Sequence, residues 1–147
     1  MVWVSSARPV VATVALLLGA HALSGCAKSC TAVGAEDGVA LTAVGFPADA
    51  ALSVKVCRGT TCASTQLDLT QSDAGFVALR LTSTTAQALR VSVRTAAGPP
   101  VLEGAAISVV PVKIQPNGPD CDPTAYQAGI RVSPTGVVSS APSTAPS

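Results

Sequence analysis

The chain has 147 residues, with nine Lys or Arg against eight Asp or Glu, and only 3 % of its residues are aromatic. Balanced charge provides no single-sign field of the kind that attracts nucleic acid, and the scarcity of aromatic rings leaves no stacking platform for sugars or unpaired bases. The only histidine is His21, close to the N-terminus.

The first 25 residues have the layout of a secretory signal peptide. Arg8 provides the positive charge, and an apolar run from Val10 to Ala20 follows it. Signal peptides need an apolar stretch of roughly 7 to 15 residues, whereas a permanent membrane-spanning helix needs roughly 20. We therefore expect this segment to direct export and then to be removed.

The signal segment ends in Leu23, Ser24, Gly25 and Cys26. These four residues resemble the lipobox of bacterial lipoproteins, which is Leu, a small residue, Gly or Ala, and then Cys. The resemblance implies that the Cys26 sulfur receives a diacylglyceryl group and that cleavage falls between Gly25 and Cys26. It also implies an acyl chain, such as palmitate, on the new amino terminus and a location on the outer face of the cell membrane.

Ordinary secretion is the competing interpretation. Ala20, His21 and Ala22 also fit the A-x-A pattern of a cleavage site, which would release a soluble protein. That product would carry five cysteines, an odd number that leaves one thiol unexplained in an exported chain. Lipidation of Cys26 leaves four, and this even count favours the lipoprotein.

Two short patterns lie beyond the signal: Cys-Thr-Ala-Val-Gly at residues 30–34 and Pro-Asn-Gly-x-x-Cys at residues 116–121. With the Ala/Val/Thr-rich composition, they make the chain similar to small lipoproteins of GC-rich Gram-positive bacteria. That class mostly lacks an assigned function. This second similarity therefore implies an extracytoplasmic location without implying a reaction.

Removal of residues 1–25 leaves 122 residues, enough for one domain. We expect a short lipid-side tether at residues 26–29, one domain at residues 30–132, and a disordered tail rich in Pro, Ser and Thr at residues 133–147. The mature chain has no histidine and equal numbers of basic and acidic residues, since Arg8 is lost with the signal.

The mature sequence alternates apolar and polar residues with turn formers every 8 to 12 residues, which predicts an all-β domain. Pro111 indicates a bulge or a sheet edge within one of the strands. Seven strands are expected, near residues 39–44, 52–57, 63–69, 76–82, 89–94, 106–114 and 126–132. We predict an immunoglobulin-like antiparallel β-sandwich, with another Greek-key barrel or a jelly roll as the alternative.

Four cysteines in a small exported domain indicate two disulfides, and three pairings are possible. Hairpin spacing favours Cys57 with Cys62, which leaves Cys30 to clip the start of the domain to Cys121 near its last strand. Loop entropy predicts stabilisation of roughly 2 kcal/mol for the first bridge and roughly 4 to 5 kcal/mol for the second. A redox or zinc role is disfavoured, because the spacing is not C-x-x-C and the mature chain offers no histidine ligand.

Catalysis has few candidates without a histidine base. The acidic pairs are Glu36 with Asp37 and Asp120 with Asp122, which lie beside turn formers, so we expect structural roles for them. A calcium site at Asp120 and Asp122 is the alternative, although further oxygen ligands at fixed spacing are not apparent. Tyr126 is expected in the core.

The sequence thus favours a non-enzymatic interaction or structural module of the cell envelope, with no cofactor apart from the covalent lipid. A carrier or sensor of a small apolar ligand is the second hypothesis, and an enzyme of unfamiliar type the third. Four residue steps from Cys26 to Cys30 reach roughly 14 Å when fully extended. The expected partner is therefore a membrane-proximal envelope protein, reached by a domain that the lipid anchor holds at the membrane.

Overall fold

The computed structural model describes residues 30–96 and 98–140, and this part of the chain forms nine strands and no helix. It accordingly contains no helix long and apolar enough to cross a membrane. The strands are β1 (Gly38–Ala43), β2 (Ala51–Arg58), β3 (Thr61–Asp68), β4 (Ala74–Ala78), β5 (Gln87–Thr95), β6 (Pro100–Val109), β7 (Val112–Ile114), β8 (Ala125–Ser133) and β9 (Gly136–Ser140).

The strands form two sheets. The five-stranded sheet has the order β4-β1-β8-β7. β7 pairs with the first residues of β8, and β9 pairs with the later residues of β8. The four-stranded sheet has the order β3-β2-β5-β6. All pairs are antiparallel except β1 with β8, which run parallel. The prediction of an all-β sandwich is confirmed.

The core consists of the inward side chains of both sheets. Alternation of inward and outward residues, as period-2 patterning requires, is most regular in β2 and β5. The four-stranded sheet contributes Leu52, Val54, Val56, Leu67, Leu89, Val91, Val93 and Val109, and the five-stranded sheet contributes Val39, Leu41, Ala43, Val77, Ala128, Ile130 and Val132. Tyr126 is half-buried and packs against this cluster, as expected.

The predicted sixth strand, residues 106–114, is wrong as a single element. It is broken at Val110 and Pro111, and the two parts belong to different sheets: β6 to the four-stranded sheet and β7 to the five-stranded sheet. Proline has no N–H to donate to a ladder, so pairing stops there and the chain crosses the sandwich. Pro111 is buried at this crossing.

The prediction of a disordered tail from Ser133 is wrong for residues 136–140, which form β9. A tight turn follows Ser133, whose hydroxyl donates to the Gly136 carbonyl oxygen at 3.2 Å. Val137 then lies opposite Val132 of β8 and packs against the core. With the break at Pro111, this strand raises the number from seven to nine in the described residues. Residues 141–147 lie outside them.

The two ends of the sandwich differ. β1 and β8 begin at one end, which we call the amino end because Cys30 and its partner Cys121 lie there. β4 starts opposite Thr42, late in β1, so the short connection from β3 to β4 lies at the opposite end. The β2–β3 turn is therefore also at the amino end.

Candidate interaction surface

The described chain begins with a residue that is fixed to the domain. Cys30 forms a disulfide with Cys121, with 5.8 Å between their Cα atoms, and this is the pairing expected from the sequence. Cys121 is buried in the loop between β7 and β8. Gly25 and Cys26, the predicted cleavage and lipidation residues, lie outside the described residues.

Asn117, in the same loop, fastens the residues after Cys30. Its Oδ1 accepts hydrogen bonds from the Thr31 hydroxyl at 2.7 Å and the Val33 backbone N–H at 2.8 Å. Its Nδ2 donates to the Val33 carbonyl at 3.0 Å and the Asp122 carbonyl at 2.6 Å. Asn117 is only 7 % exposed, although Thr31 and Val33 lie at the surface, so these four bonds are partly buried. Turn-forming residues surround Asn117 in the sequence, but nothing in the sequence predicts this buried amide.

The acidic residues singled out in the sequence also lie at the amino end. The Asp37 carboxylate accepts the Tyr126 backbone N–H at 2.7 Å, and the Glu36 carbonyl accepts the Gln127 side-chain N–H at 3.0 Å. These bonds hold the incoming segment along the start of β8. The Asp37 carboxylate therefore has the structural role expected of it, whereas the contact of Glu36 involves only its backbone.

Asp120 and Asp122 belong to the β7–β8 loop. Asp120 has a positive φ of 63°, and the Asp122 carbonyl is one of the acceptors of Asn117. In residues 30–96 and 98–140, no three His, Cys, Asp or Glu side chains come together as a metal site would require. Through Asn117 and Cys121, this loop binds the N-terminal segment to the domain.

Cys57 and Cys62 form the second disulfide, also as expected, with a Cα–Cα distance of 4.0 Å. They face each other across the β2–β3 hairpin. A two-residue turn at Gly59 and Thr60 joins the strands, so hydrogen-bonded and non-hydrogen-bonded pairs alternate from Arg58–Thr61 onward. Cys57 and Cys62 are the first non-hydrogen-bonded pair, in which side chains approach most closely.

The outward side of the four-stranded sheet, beyond this disulfide, concentrates positive charge. Lys55 lies opposite Ser92, so Arg90 and Arg94 are its diagonal neighbours on β5. Diagonal neighbours on one sheet face are roughly 7 to 8 Å apart. We call this surface the cationic face, and its members are Ser53, Lys55, Ser64, Arg90, Ser92 and Arg94.

The cationic face is poorly neutralised by the domain itself. Glu103 contacts Arg94 at 3.9 Å, a weak ion pair in which both side chains are more than half exposed. Lys55 makes no hydrogen bond or ion pair within the described residues. Three cations and one carboxylate share this surface, and like charges on neighbouring strands repel one another to an extent that water and salt reduce. The face therefore carries an excess of positive charge.

Asp68 also faces this side, opposite Ala51 at the end of β3, but its carboxylate is engaged elsewhere. It accepts the Thr70 hydroxyl at 2.6 Å, the Thr70 backbone N–H at 3.0 Å and the Gln71 side-chain N–H at 3.1 Å. These bonds, led by the Thr70 hydroxyl, lower the pKa of Asp68 below its ordinary value of 3.8. Asp68 therefore stabilises its own turn.

A bulge in β6 shapes the cationic face. Gly104 has φ of 62°, in the left-handed region that favours glycine, and the β5–β6 register shifts around this point. The Gly104 N–H donates to the Ser92 hydroxyl oxygen at 3.0 Å, and Arg90 donates to the Gly104 carbonyl at 3.5 Å. Because Ser92 acts as acceptor, its hydroxyl hydrogen remains available for a ligand.

Two shallow depressions lie on this outward side. The first, about 330 Å³, is lined by Ser53, Lys55, Ser64, Ser92, Arg94 and Glu103. The second, about 260 Å³, is lined by Cys57, Gly59, Ala88, Leu89, Arg90 and Ala106. Neither is a space between the two sheets. Hydroxyl donors and cations dominate the first, which suits a polar, negatively charged group.

The sequence indicated part of this surface. Apolar and polar residues alternate along β5, and this pattern by itself puts Arg90, Ser92 and Arg94 on one side of the strand, where the structure has them. It did not identify Lys55 or Ser64 as neighbours of these residues, because cross-strand register depends on which strands pair. Their proximity is a product of topology, since β5 pairs with β2 and not with β4.

Comparison with protein-family models, curated proteins and solved structures gives no match. Two features of the molecule bear on its function: the fixed position of Cys30 at the amino end and the cationic face along one side of the sandwich.

Proposed function

We propose that this chain is a lipid-anchored extracytoplasmic lipoprotein whose domain is a non-enzymatic interaction module of the cell envelope. Cys26 carries the diacylglyceryl group and the N-terminal acyl chain after cleavage behind Gly25, and the partner is a membrane or membrane-proximal protein. Two or three acyl chains anchor stably, because each buried methylene contributes about 0.8 kcal/mol.

The fixed position of Cys30 is the observation that carries this proposal. The disulfide to Cys121, the hydrogen bonds of Asn117 and the hydrogen bond of Asp37 hold residues 30–37 against the domain. Four residue steps, roughly 14 Å at most, then separate the lipidated residue from the domain. The amino end of the sandwich accordingly rests close to the headgroups, and action at long range would require a stalk that this tether does not provide.

The cationic face is the proposed contact surface. Its three cations lie close together with one weakly bound carboxylate, so an acidic group of a partner would relieve their repulsion. Both depressions lie on the outward side of a sheet, and the Ser, Lys and Arg side chains that line the first suit an acidic group better than the apolar ligand of the carrier hypothesis. The Asp37 carboxylate holds the N-terminal segment through a hydrogen bond to β8, which favours a structural role for this side chain.

We also propose a place for the fold among known sandwiches. Immunoglobulin-like is the finer class expected from the sequence, and constant-type domains divide their strands as ABED and CFG, with the second and third strands in different sheets. Here β2 and β3 form one hairpin. We infer that this domain shares the architecture of two packed sheets with the immunoglobulin fold but differs from it in strand order.

A spacer experiment tests membrane-proximal action. A flexible insertion of about 30 residues after Ser29 extends the reach of the domain by tens of ångströms. Short-range crosslinking in cells should then lose the membrane or membrane-proximal proteins captured by the native chain. The same spacer after Ser147 is the matched control, since it leaves the distance from lipid to domain unchanged. An unchanged crosslinked set with the spacer after Ser29 would overturn the proposal.

A further inference from the structure

The four-stranded sheet has one protected edge and one open edge. β6 is protected by Pro100 at its start and by the bulge at Gly104, two devices that natural sheets use to block further pairing. β3, at the other edge, pairs with β2 over eight consecutive residues without a register shift and contains no proline. An exposed edge of this length is a template for another strand.

The outward-facing backbone groups of β3 can be assigned from the hairpin. Because Arg58–Thr61 is a hydrogen-bonded pair, alternate residues of β3 direct their N–H and C=O away from β2; these are Cys62, Ser64 and Gln66. The Leu69 N–H, which bonds the Ala50 carbonyl at 3.0 Å, continues the same alternation. Within residues 30–96 and 98–140, no hydrogen bond uses the outward backbone groups of these three residues.

The side chains along this edge lie on or beside the cationic face. Ser64 is a member of this face and is the direct cross-strand neighbour of Lys55, while the side chains of Cys62 and Gln66 lie beside it on the same side of the sheet. A strand added next to β3 would lie roughly 10 Å from β2, two strand spacings away. A glutamate side chain on its outward side could therefore extend across Ser64 to the Lys55 ammonium, which has no acid partner of its own in the described chain.

We propose that β3 accepts an extended acidic peptide segment of the protein partner as a fifth strand of the four-stranded sheet. This deepens the proposed function, on which it rests, by naming the chemistry of the partner. Backbone hydrogen bonds to Ser64 and Gln66 supply affinity, and acidic side chains at alternate positions, directed at Lys55, supply selectivity. Charge complementarity selects this occupant over a second copy, whose β3 carries no unengaged acid to offer.

Hydrogen exchange of the purified full-length protein in detergent tests the proposal residue by residue. The probe is an acetylated peptide of about eight alternating Glu and Thr residues, and the control replaces Glu with Lys. The Glu peptide should slow exchange at the amides of Cys62, Ser64 and Gln66, while the intervening amides, already bonded to β2, stay unchanged. The Lys peptide should protect none of them.

Matched substitutions separate backbone pairing from surface charge. Gln66→Pro and Gln66→Ala both remove the side-chain bond to Ser53, but only proline removes the outward N–H. The Pro variant should bind the Glu peptide about tenfold more weakly than the Ala variant. Lys55→Gln should also weaken binding about tenfold, and it supplies the test if the Pro variant does not fold.

Three results would overturn the inference. One is binding of the Glu peptide without protection of the β3 amides, which would mean attraction to the cationic face alone. Another is protection that grows with protein concentration in the absence of peptide, which would identify a second copy as the occupant. The third is equal binding of the Glu and Lys peptides. None of them depends on the lipid anchor, so the proposed function would still be decided by the spacer experiment.

Discussion

The side chain of Asn117 forms two hydrogen bonds with the backbone of Val33: the Asn117 Oδ1 accepts from the Val33 N–H, and the Asn117 Nδ2 donates to the Val33 carbonyl oxygen. Residues around Val33 belong to neither sheet, and these two bonds replace those that a neighbouring strand would supply. Because residues 31–37 precede β1, the position of Cys30 relative to the sandwich depends on this contact as well as on the disulfide.

Loss of this contact should destabilise the domain. Asn117→Ala removes four partly buried hydrogen bonds and takes a side-chain partner from the backbone of Val33 and Asp122, so we expect about 1 to 3 kcal/mol lower free energy of unfolding. Gln115→Ala is the control: its exposed bond to Thr124 predicts a change within about 0.5 kcal/mol. Urea denaturation of both variants measures the difference, and equal stabilities would contradict the role of Asn117.

The two disulfides should contribute unequally. They join residues 91 and 5 positions apart, and closure of the longer loop restricts the unfolded chain more. Replacement of Cys30 and Cys121 by Ser should cost about 4 to 5 kcal/mol, against about 2 kcal/mol for Cys57 and Cys62. Thermal unfolding of the two double variants gives the order. Non-reducing peptide mapping provides the check on connectivity, since free thiols at these positions would show that the bridges do not form.

Three glycines should respond differently to alanine. A Cβ on Gly38 would overlap the Phe76 ring and the Val77 carbonyl, whereas on Gly75 it would meet mainly the flexible end of Leu67. We expect Gly38→Ala to cost about 2 to 3 kcal/mol and Gly75→Ala about 1 kcal/mol. Gly34→Ala, with open space around it, is the control and should cost under about 0.5 kcal/mol. Chemical denaturation that ranked Gly34→Ala as the most destabilising would contradict the packing.

Asp68 should make stability depend on acid pH. Its pKa is lowered in the folded state, chiefly by the Thr70 hydroxyl, so the carboxylate stabilises the fold above 3.8 and loses that contribution as pH falls through the folded value. The native chain should therefore exceed Asp68→Asn in melting temperature near pH 6. The gap should narrow as the pH falls below 3.8 and through the folded value, because both states then become protonated. A difference in melting temperature that did not change with pH would show that the charge of Asp68 does not contribute to stability.

Much of the fold could be predicted from the sequence because the strands alternate cleanly. Leu52, Val54 and Val56 on β2 are buried as their period-2 spacing requires, and the two disulfides agree with the pairing that the cysteine spacing predicts. Each of these features depends on residues close together in sequence or on a small set of possible pairings.

The errors arose where long-range contacts decide the outcome. Pro111 signalled an interruption, but only the presence of a second sheet makes the chain cross there into β7. Val137 and Val138 look too short a run to order a polar tail, yet pairing with β8 forms β9. The full extent of the cationic face could not be predicted from the sequence for the same reason. Lys55 and Ser92 are 37 positions apart and meet only through the pairing of β2 with β5.

The mass of the N-terminal peptide tests the central claim, lipid anchoring at Cys26, most directly. Proteolysis of the membrane fraction followed by mass spectrometry should yield a peptide that begins at Cys26 and carries a diacylglyceryl group, with or without a further acyl chain. A Cys26→Ser variant provides the control, because it should lose the modification and the membrane association together. A native product that is soluble and begins at Leu23, without lipid, would contradict the account.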